Sequence, residues 1–145
     1  MYTFEFDQCS FRILDICFGQ YAEDVQGHRH SRRGYEIHYD VGGKGMMKTE
    51  DGRYALGENI LYITGPDVYH RQTFDRKDPL REYCIYIELT KTGKGKTADE
   101  FLTRKFWIGE GTERIGQLME EIRKTAERGG GCARIEMGAL IANYS

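Results

Sequence analysis

The chain has 145 residues, of which 39% are hydrophobic and 30% are charged, and its mean hydropathy is −0.64. This length suits one domain of roughly 100–200 residues, and no segment approaches the run of about 18 apolar residues that a membrane-spanning helix needs. The formal net charge of −2 argues against a domain that binds nucleic acid through a basic surface of its own.

The first residues, MYTFEFDQCS, lack the basic region and the apolar region of a secretion signal. The four cysteines, Cys9, Cys17, Cys84 and Cys132, form no CxxC pair, which excludes a zinc ribbon and a thioredoxin-type redox motif on spacing. We therefore expect a cytoplasmic protein with reduced thiols and no membrane contact.

Residues 1–110 are predicted to form a β domain. Short runs rich in Tyr, Ile, Phe and Thr alternate with Gly, Asp and Asn, which is typical of strands and turns. The pair Asp51-Gly52 predicts a hairpin with a type I′ turn. Many short strands at close spacing favour an antiparallel barrel or sandwich. The predicted strands are Tyr2–Phe6, Phe11–Phe18, Tyr35–Val41, Gly45–Glu50, Arg53–Leu56, Asn59–Thr64, Tyr69–Phe74 and Glu82–Leu89.

Residues 111–145 change to a helical period. Thr112 is a plausible N-cap for a first helix, and the glycines at 129–131 end it. The apolar stripe of the first helix is Ile115, Leu118, Met119 and Ile122, and that of a second helix is Met137, Leu140, Ile141 and Tyr144. The sequence thus predicts two helices after the β domain.

The stripe of the first helix has two interpretations. Ile115, Leu118, Met119 and Ile122 pack on the chain's own sheet, form a dimer interface with a second copy, or do both. The second stripe is still incomplete at Ser145, and domains seldom stop inside an amphipathic helix. We therefore expect 111–145 to be a dimerisation and linker segment, cut before a further domain.

Histidines and carboxylates are concentrated between residues 28 and 70. The first block reads HRHSRRGYEIHYDVGGKG from His28, and the second reads GENILYITGPDVYH and ends at His70. Both blocks resemble the cupin pattern and, more narrowly, the N-terminal sensor domain of AraC-family transcription regulators, over roughly residues 25–90. The resemblance implies a mainly β fold, a cupin double-stranded β-helix barrel followed by two C-terminal helices.

The resemblance leaves the two histidine positions of the first block open. With the family's three-residue spacing before Glu36, these positions fall on His30 and Arg32, and the family glycine falls on Gly43. Arg32 is a fixed cation with donors only, so it would not ligate a metal ion. If the strand is shifted by two residues, His28 and His30 occupy the positions instead, since they share a face.

The resemblance implies an effector site inside the barrel. A guanidinium, a carboxylate and imidazoles suit a ligand with hydroxyl or carboxylate groups, and a sugar or related carbohydrate would also pack on aromatic faces. The expected ligand-binding residues are His30, Arg32, Glu36, His70, Tyr35, Tyr39 and Trp107. No cofactor is expected, although a weak or adventitious divalent metal would use His28, His30, Glu36 and His70.

The resemblance also implies a function. We expect a non-enzymatic, homodimeric bacterial sensor whose small-molecule effector favours one of two arrangements, and which contacts DNA only through a helix-turn-helix domain missing from this chain. The alternative is a metal-dependent cupin enzyme, such as a dioxygenase or a sugar isomerase. A carbohydrate-binding or storage module without an output domain is a third possibility.

Overall fold

A computed structural model describes residues 2–21, 23–30, 34–96 and 105–128 of the chain. Within these ranges the chain forms ten strands and one helix. They are β1 Tyr2–Phe6, β2 Cys9–Gln20, β3 Val25–His28, β4 Gly34–Gly42, β5 Lys44–Thr49, β6 Arg53–Gly57, β7 Ile60–Thr64, β8 His70–Phe74, β9 Arg81–Lys91, β10 Phe106–Glu110 and α1 Glu113–Arg128. No helix of the described ranges is long and apolar enough to cross a membrane.

The strands form two antiparallel sheets that face each other as a cupin barrel. The first sheet has the order β1-β2-β9-β4-β7-β10, and the second has the order β3-β8-β5-β6. The predicted mainly β fold is confirmed, and every predicted strand is present with its ends moved by a few residues. Of the two predicted helices, the first is α1, and the second lies outside the described residues.

Two strands, β3 and β10, were not predicted from the sequence. β3 has only four residues, VQGH, and it is held by pairing with β8 rather than by its own strand propensity. β10 pairs with β7 along its whole length. Both strands depend on a partner that is distant in sequence, so local patterning carries little signal for them.

The tight turns differ from the prediction in one respect. The β5–β6 hairpin is confirmed, and the Thr49 N–H donates to the Gly52 carbonyl at 2.9 Å. Its turn is not type I′, because neither Asp51 nor Gly52 is among the described residues with positive φ. The type I′ pattern is found between β1 and β2, where Asp7 and Gln8 have φ of 48° and 61°.

The first sheet separates two cores. On β4, Tyr35, Ile37 and Tyr39 point to α1, and they join an apolar layer with residues of β2, β9 and α1. The alternate residues of β4 point between the sheets, where a second apolar group lies beside the polar site. That second group contains Met47, Leu56, Tyr62 and Leu80. The strand period of two therefore assigns each β4 side chain to one of the two layers.

Helix α1 packs its apolar stripe on the first sheet. The Thr112 hydroxyl accepts a hydrogen bond from the Ile115 N–H at 3.4 Å, which confirms the predicted N-cap. Leu118, Met119 and Ile122 are buried with exposures of 3%, 0% and 0%, and Ile115 packs against the same core. Ile115, Met119 and Ile122 therefore pack on the chain's own sheet, as the first of the two interpretations predicts, and the dimer interface stays a prediction.

A bulge in β2 changes which face its later residues occupy. Ile13 pairs with Ile87 and Asp15 pairs with Tyr86, so Leu14 is an extra residue without a partner in the β9 register. Ile13 and Ile16 both join the layer under α1 although they are three residues apart. Cys17 consequently lies on the opposite, barrel face of the sheet.

Candidate functional site

Three histidines and one glutamate meet between the two sheets. Each of His28, His30, Glu36 and His70 offers a ligand atom, and these four atoms lie within 4.8 Å of one another. We call this group the histidine cluster. His28 ends β3, Glu36 lies on β4 and His70 begins β8, so the cluster joins both sheets.

Glu36 is at the centre of the histidine cluster. The Nε2 atom of His30 is 3.1 Å from Glu36 Oε1, and that of His70 is 3.6 Å from Glu36 Oε2. The ring of His28 completes the group, with its centroid 4.3 Å from the ring centroid of His70. His70 is fully buried, and the side chains of His30 and Glu36 are 13% and 17% exposed.

Backbone carbonyls orient two of these rings. Nδ1 of His28 is 2.8 Å from the Gln26 carbonyl, and Nδ1 of His70 is 3.0 Å from the Val68 carbonyl. A carbonyl only accepts, so each Nδ1 carries the proton and each Nε2 keeps a lone pair. The Nε2 atoms of His30 and His70 are buried without a hydrogen bond of good geometry. This arrangement is typical of metal-binding histidines.

The residues present therefore fit a divalent transition-metal ion. Burial favours the neutral form of Glu36, but the nearby imidazole rings of His30, His38 and His70 outweigh burial and hold the pKa of Glu36 well below its usual range. Of these rings, His38 makes the hydrogen bond to Glu36. Imidazole and carboxylate suit iron, manganese, nickel or zinc. Ligands about 2.1 Å from one ion lie at most roughly 4.2 Å apart, so the observed spacing needs only a small contraction.

His38 supports the cluster from behind. Its Nε2 lies 2.8 Å from Glu36 Oε2, and its Nδ1 lies 2.9 Å from Glu82 Oε1. Burial disfavours a charged imidazole, but the charge of Glu82 and the hydrogen bonds with both carboxylates raise the pKa of His38 to about 10. His38 is therefore an imidazolium that donates from both nitrogens and fixes the orientation of Glu36.

A buried polar network continues from Glu82 away from the cluster. The Tyr62 hydroxyl donates to Glu82 Oε2 at 3.0 Å, and the Tyr21 hydroxyl donates to Glu82 Oε1. Asp40 is also fully buried beside this network. Burial, together with the hydrogen bond and the charge of Glu82, raises the pKa of Asp40 to about 9, so this carboxyl group is neutral at pH 7. The sequence showed only that His38 and Asp40 share a face with Glu36.

The structure answers the open question of register. His30, Glu36 and His70 converge as expected, and the fourth member is His28. The pairing of β3 with β8 places His28 beside His70, as the alternative with His28 and His30 predicts. Arg32 itself lies outside the described residues.

The three predicted aromatic ligand contacts lie on the wrong face of the sheet. Tyr35 and Tyr39 alternate with Glu36 on β4, and Trp107 packs in the same layer under α1. The Tyr39 hydroxyl donates to Asn59 Oδ1 at 2.9 Å on that side. Their assignment to the barrel site is therefore wrong. Tyr86, which sequence analysis did not single out, lies near the cluster with its ring centroid 5.3 Å from that of His30.

Two open clefts lie beside α1 rather than at the histidine cluster. The first, about 450 Å³, is lined by residues 13–18 of β2 together with Arg123, Ala126 and Glu127. The second, about 820 Å³, is lined mainly by Tyr39, Glu58, Tyr83 and the outer side of α1. The buried polar atoms of His30 and His70 converge at the cluster and not in either cleft.

The comparisons with known proteins agree with this architecture. Residues 16–126 match the family model described as the AraC-like ligand binding domain. The apo form of a ToxT variant from Vibrio cholerae has a TM-score of 0.56 and 4% identity, with 89% of this chain and 53% of that chain covered. ToxT from the same organism with bound unsaturated fatty acid has a TM-score of 0.50 and 9% identity, over 82% and 47% of the two chains.

A cupin protein from Bacteroides fragilis is also similar, with a TM-score of 0.45, 18% identity and coverage of 64% of this chain and 75% of that one. At such identities these structures show the fold alone. No curated protein matches the sequence.

Proposed function

The chain belongs to the AraC-like ligand-binding domain family, and from this membership we propose that its histidine cluster binds a small polar effector inside the barrel. The observation that carries the proposal is the convergence of four polar side chains from both sheets, with the Nε2 atoms of His30 and His70 buried and lacking a good hydrogen bond. Such atoms are costly unless a ligand satisfies them.

The first component of this ligand would be a divalent metal ion. His28, His30 and His70 would each supply a ring nitrogen, and Glu36 would supply a carboxylate oxygen. When bound, the ion would act as a Lewis acid with open positions for oxygen atoms of the effector. His38 and the carbonyls of Gln26 and Val68 hold these ligands in orientation without touching the effector.

The effector would carry hydroxyl or carboxylate groups, as a sugar or a related carbohydrate does. The cluster offers a negative carboxylate and polar imidazoles in a buried setting, where hydrogen bonds discriminate strongly. Tyr86 supplies one aromatic face next to His30. Because Tyr35, Tyr39 and Trp107 face α1, recognition would depend on polar contacts more than on stacking.

Metal binding is tested by titrating the chelator-treated protein with Co²⁺ and following heat and visible absorption. We expect one Co²⁺ per chain, and we expect Glu36→Gln to weaken binding by at least about 10-fold, the lower end of the effects measured around metal sites. Glu110→Gln, at an exposed glutamate, is the matched control and should bind like the wild type. Equal affinity in all three proteins would rule out the cluster as the metal site.

The effector class is tested by a thermal-shift panel of sugars, sugar acids and neutral apolar compounds, with and without Co²⁺. A sugar or sugar acid present at about 100 times its Kd should stabilise the domain by roughly 2.7 kcal/mol. His70→Ala should abolish the shift. Stabilisation by apolar compounds alone would contradict a polar effector.

We further propose that the domain forms a cytoplasmic homodimer and controls a helix-turn-helix domain in a bacterial regulator. Family membership supports this role, and the net charge of −2 favours DNA contact through another domain. Light scattering should give twice the chain mass of 16.8 kDa, and a monomer at high concentration would contradict the dimer.

A metal-dependent cupin enzyme is the second candidate function. The observation that favours it is the set of three histidines and one glutamate, since ligands of this type also serve Lewis-acid catalysis. The two functions differ in the fate of the bound compound. A sensor returns its effector unchanged after prolonged incubation with the Co²⁺- or Fe²⁺-loaded protein in air, whereas an enzyme converts it.

A further inference from the structure

Two free cysteines face each other across neighbouring strands of the first sheet. Cys17 of β2 and Cys84 of β9 are direct partners in the antiparallel register, and both are free thiols. Directly opposed residues of antiparallel strands have Cα atoms about 4.5 or 5.5 Å apart, and disulfides join Cα atoms roughly 4.4–6.8 Å apart. The backbone therefore already places the two thiols within reach of a covalent bond.

Both side chains lie on the same face. The bulge at Leu14 brings Cys17 to the barrel side, where Cys84 has its Sγ 3.9 Å from the Nε2 atom of His38. Because the two cysteines are directly opposed and lie on the same face of the sheet, little movement is needed to form a disulfide.

The pair combines one accessible thiol with one sheltered thiol. Cys17 is exposed and is one of the residues that line the 450 Å³ cleft beside Arg123. Cys84 is half-buried between Cys17 and His38. A small oxidant can reach Cys17 from solvent, and Cys84 is positioned to react next.

Thiols in such a position can also bind a metal ion. Glu36, His38 and Cys84 do offer ligand atoms within 4.8 Å of one another. However, both ring nitrogens of His38 are engaged by carboxylates at 2.8 and 2.9 Å, so this ring has no lone pair to offer an ion. The geometry therefore favours thiol chemistry over a second metal site.

We propose that Cys17 and Cys84 are a redox modification site, which a hydroperoxide such as hydrogen peroxide converts reversibly to a disulfide. The Cys17 thiolate attacks one oxygen of the peroxide, the O–O bond breaks, and Cys17 becomes a sulfenic acid as hydroxide leaves. The Cys84 sulfur then attacks the Cys17 sulfur, the S–O bond breaks and water leaves. In sum, two thiols and one hydrogen peroxide give one disulfide and two waters.

The electrostatics of the pair agree with these roles. The hydrogen bond from Cys84 lowers the pKa of Cys17 to about 7, against the opposing effects of burial and of the charges of Asp15 and Glu82. The same hydrogen bond and burial raise the pKa of Cys84. A thiol with a pKa near ambient pH is the better attacking group, so Cys17 reacts first.

The test treats the reduced protein with hydrogen peroxide, blocks remaining thiols with N-ethylmaleimide and digests with trypsin without reductant. Cleavage after Arg12, Arg29, Arg81 and Lys91 leaves each cysteine in its own peptide. We expect residues 13–29 linked to residues 82–91, with an intact-mass loss of about 2 Da that dithiothreitol reverses. This result does not depend on the effector or on a bound metal.

Variants complete the test. Cys17→Ser, at an exposed position, should abolish the linked peptide and leave Cys84 available to N-ethylmaleimide. Cys9→Ser is the matched control, since Cys9 is buried elsewhere in β2, and it should not affect the link. The proposal is overturned if Cys17 passes to sulfinic acid without linking, or if it links instead to Cys9 or Cys132.

Discussion

At the residue scale, two buried carboxyl groups on β4 behave in opposite ways. Glu36 lies among three imidazole rings, accepts a hydrogen bond from His38 and stays charged, whereas Asp40 has the carboxylate Glu82 as its neighbour and stays protonated. Both face the barrel from the same strand, four residues apart. The neighbouring groups, and not burial alone, therefore decide which carboxyl group can ligate a cation.

This contrast predicts that Asp40→Asn stabilises the protein above neutral pH. The pKa of Asp40 is raised to about 9 in the fold, so folding binds a proton between its ordinary pKa and 9, and stability falls as pH rises through that window. The Asn side chain has a similar shape and does not ionise, so the variant does not lose this stability as pH rises. We expect the Tm of the variant to exceed that of the wild type by at least about 2 °C at pH 8.

The pH profile of the same variant provides its control. At pH 4 the Tm difference between Asp40→Asn and wild type should be much smaller, because this pH is close to the ordinary pKa of Asp, where the raised pKa of the folded chain costs little stability. A variant that is less stable than wild type at pH 8 would contradict a neutral Asp40.

At the element scale, α1 is part of the core of the first sheet. Its stripe is buried under β2, β4 and β9, and its outer side carries ion pairs such as Arg123 with Glu120 and Glu127. Burying a side chain of the size of Met119 or Ile122 contributes roughly 1.5–3 kcal/mol. The helix therefore stabilises the barrel.

We predict that Ile122→Ala lowers the free energy of unfolding by about 2–5 kcal/mol, the usual cost of a cavity at a fully buried aliphatic residue. The measurement is urea denaturation followed by circular dichroism. Glu121→Ala, one position away on the exposed side, should change this free energy by less than about 0.5 kcal/mol. If Ile122→Ala instead keeps native stability and changes the oligomeric state, the stripe of α1 forms an interface between copies of the chain.

Local patterning predicted most elements because alternation and helical periodicity are properties of neighbouring residues. Thr112 and Ile115–Ile122 show this for α1. The short β3 and the placement of His28 were not predictable in this way, because both depend on pairing with β8 more than forty residues later. The same limit explains Tyr35 and Tyr39, since alternation separates them from Glu36 without showing which face encloses the ligand.

At the scale of the whole molecule, the histidine cluster is a bridge between sheets. Its residues come from β3 and β8 in one sheet and from β4 in the other, and His38 extends the contact to Glu82 in β9. A ligand that binds all four members therefore connects β4 with β8 and with the end of β3, and β4 has no backbone pairing with either of these strands. Effector binding should stiffen the barrel as a unit.

We predict that Co²⁺ slows amide exchange in β3, β4 and β8 and leaves the β1–β2 hairpin unchanged. The hairpin is remote from the cluster in the sheet order, so it serves as an internal reference. Hydrogen–deuterium exchange with peptide resolution measures both regions in one sample. Protection confined to the hairpin, or absent from β3 and β8, would contradict a metal held by the cluster.

β2 can lose one residue, Leu14, without a change in how its other residues pair with β9. Its neighbours Ile13 and Asp15 already pair with consecutive residues of β9, so deleting Leu14 would straighten the strand and leave the Cys17–Cys84 pair in place. Deleting a residue between 15 and 17 instead exchanges the two faces of the strand, which buries polar groups under α1. Homologous chains can therefore lose a residue at Leu14 and retain the same interior.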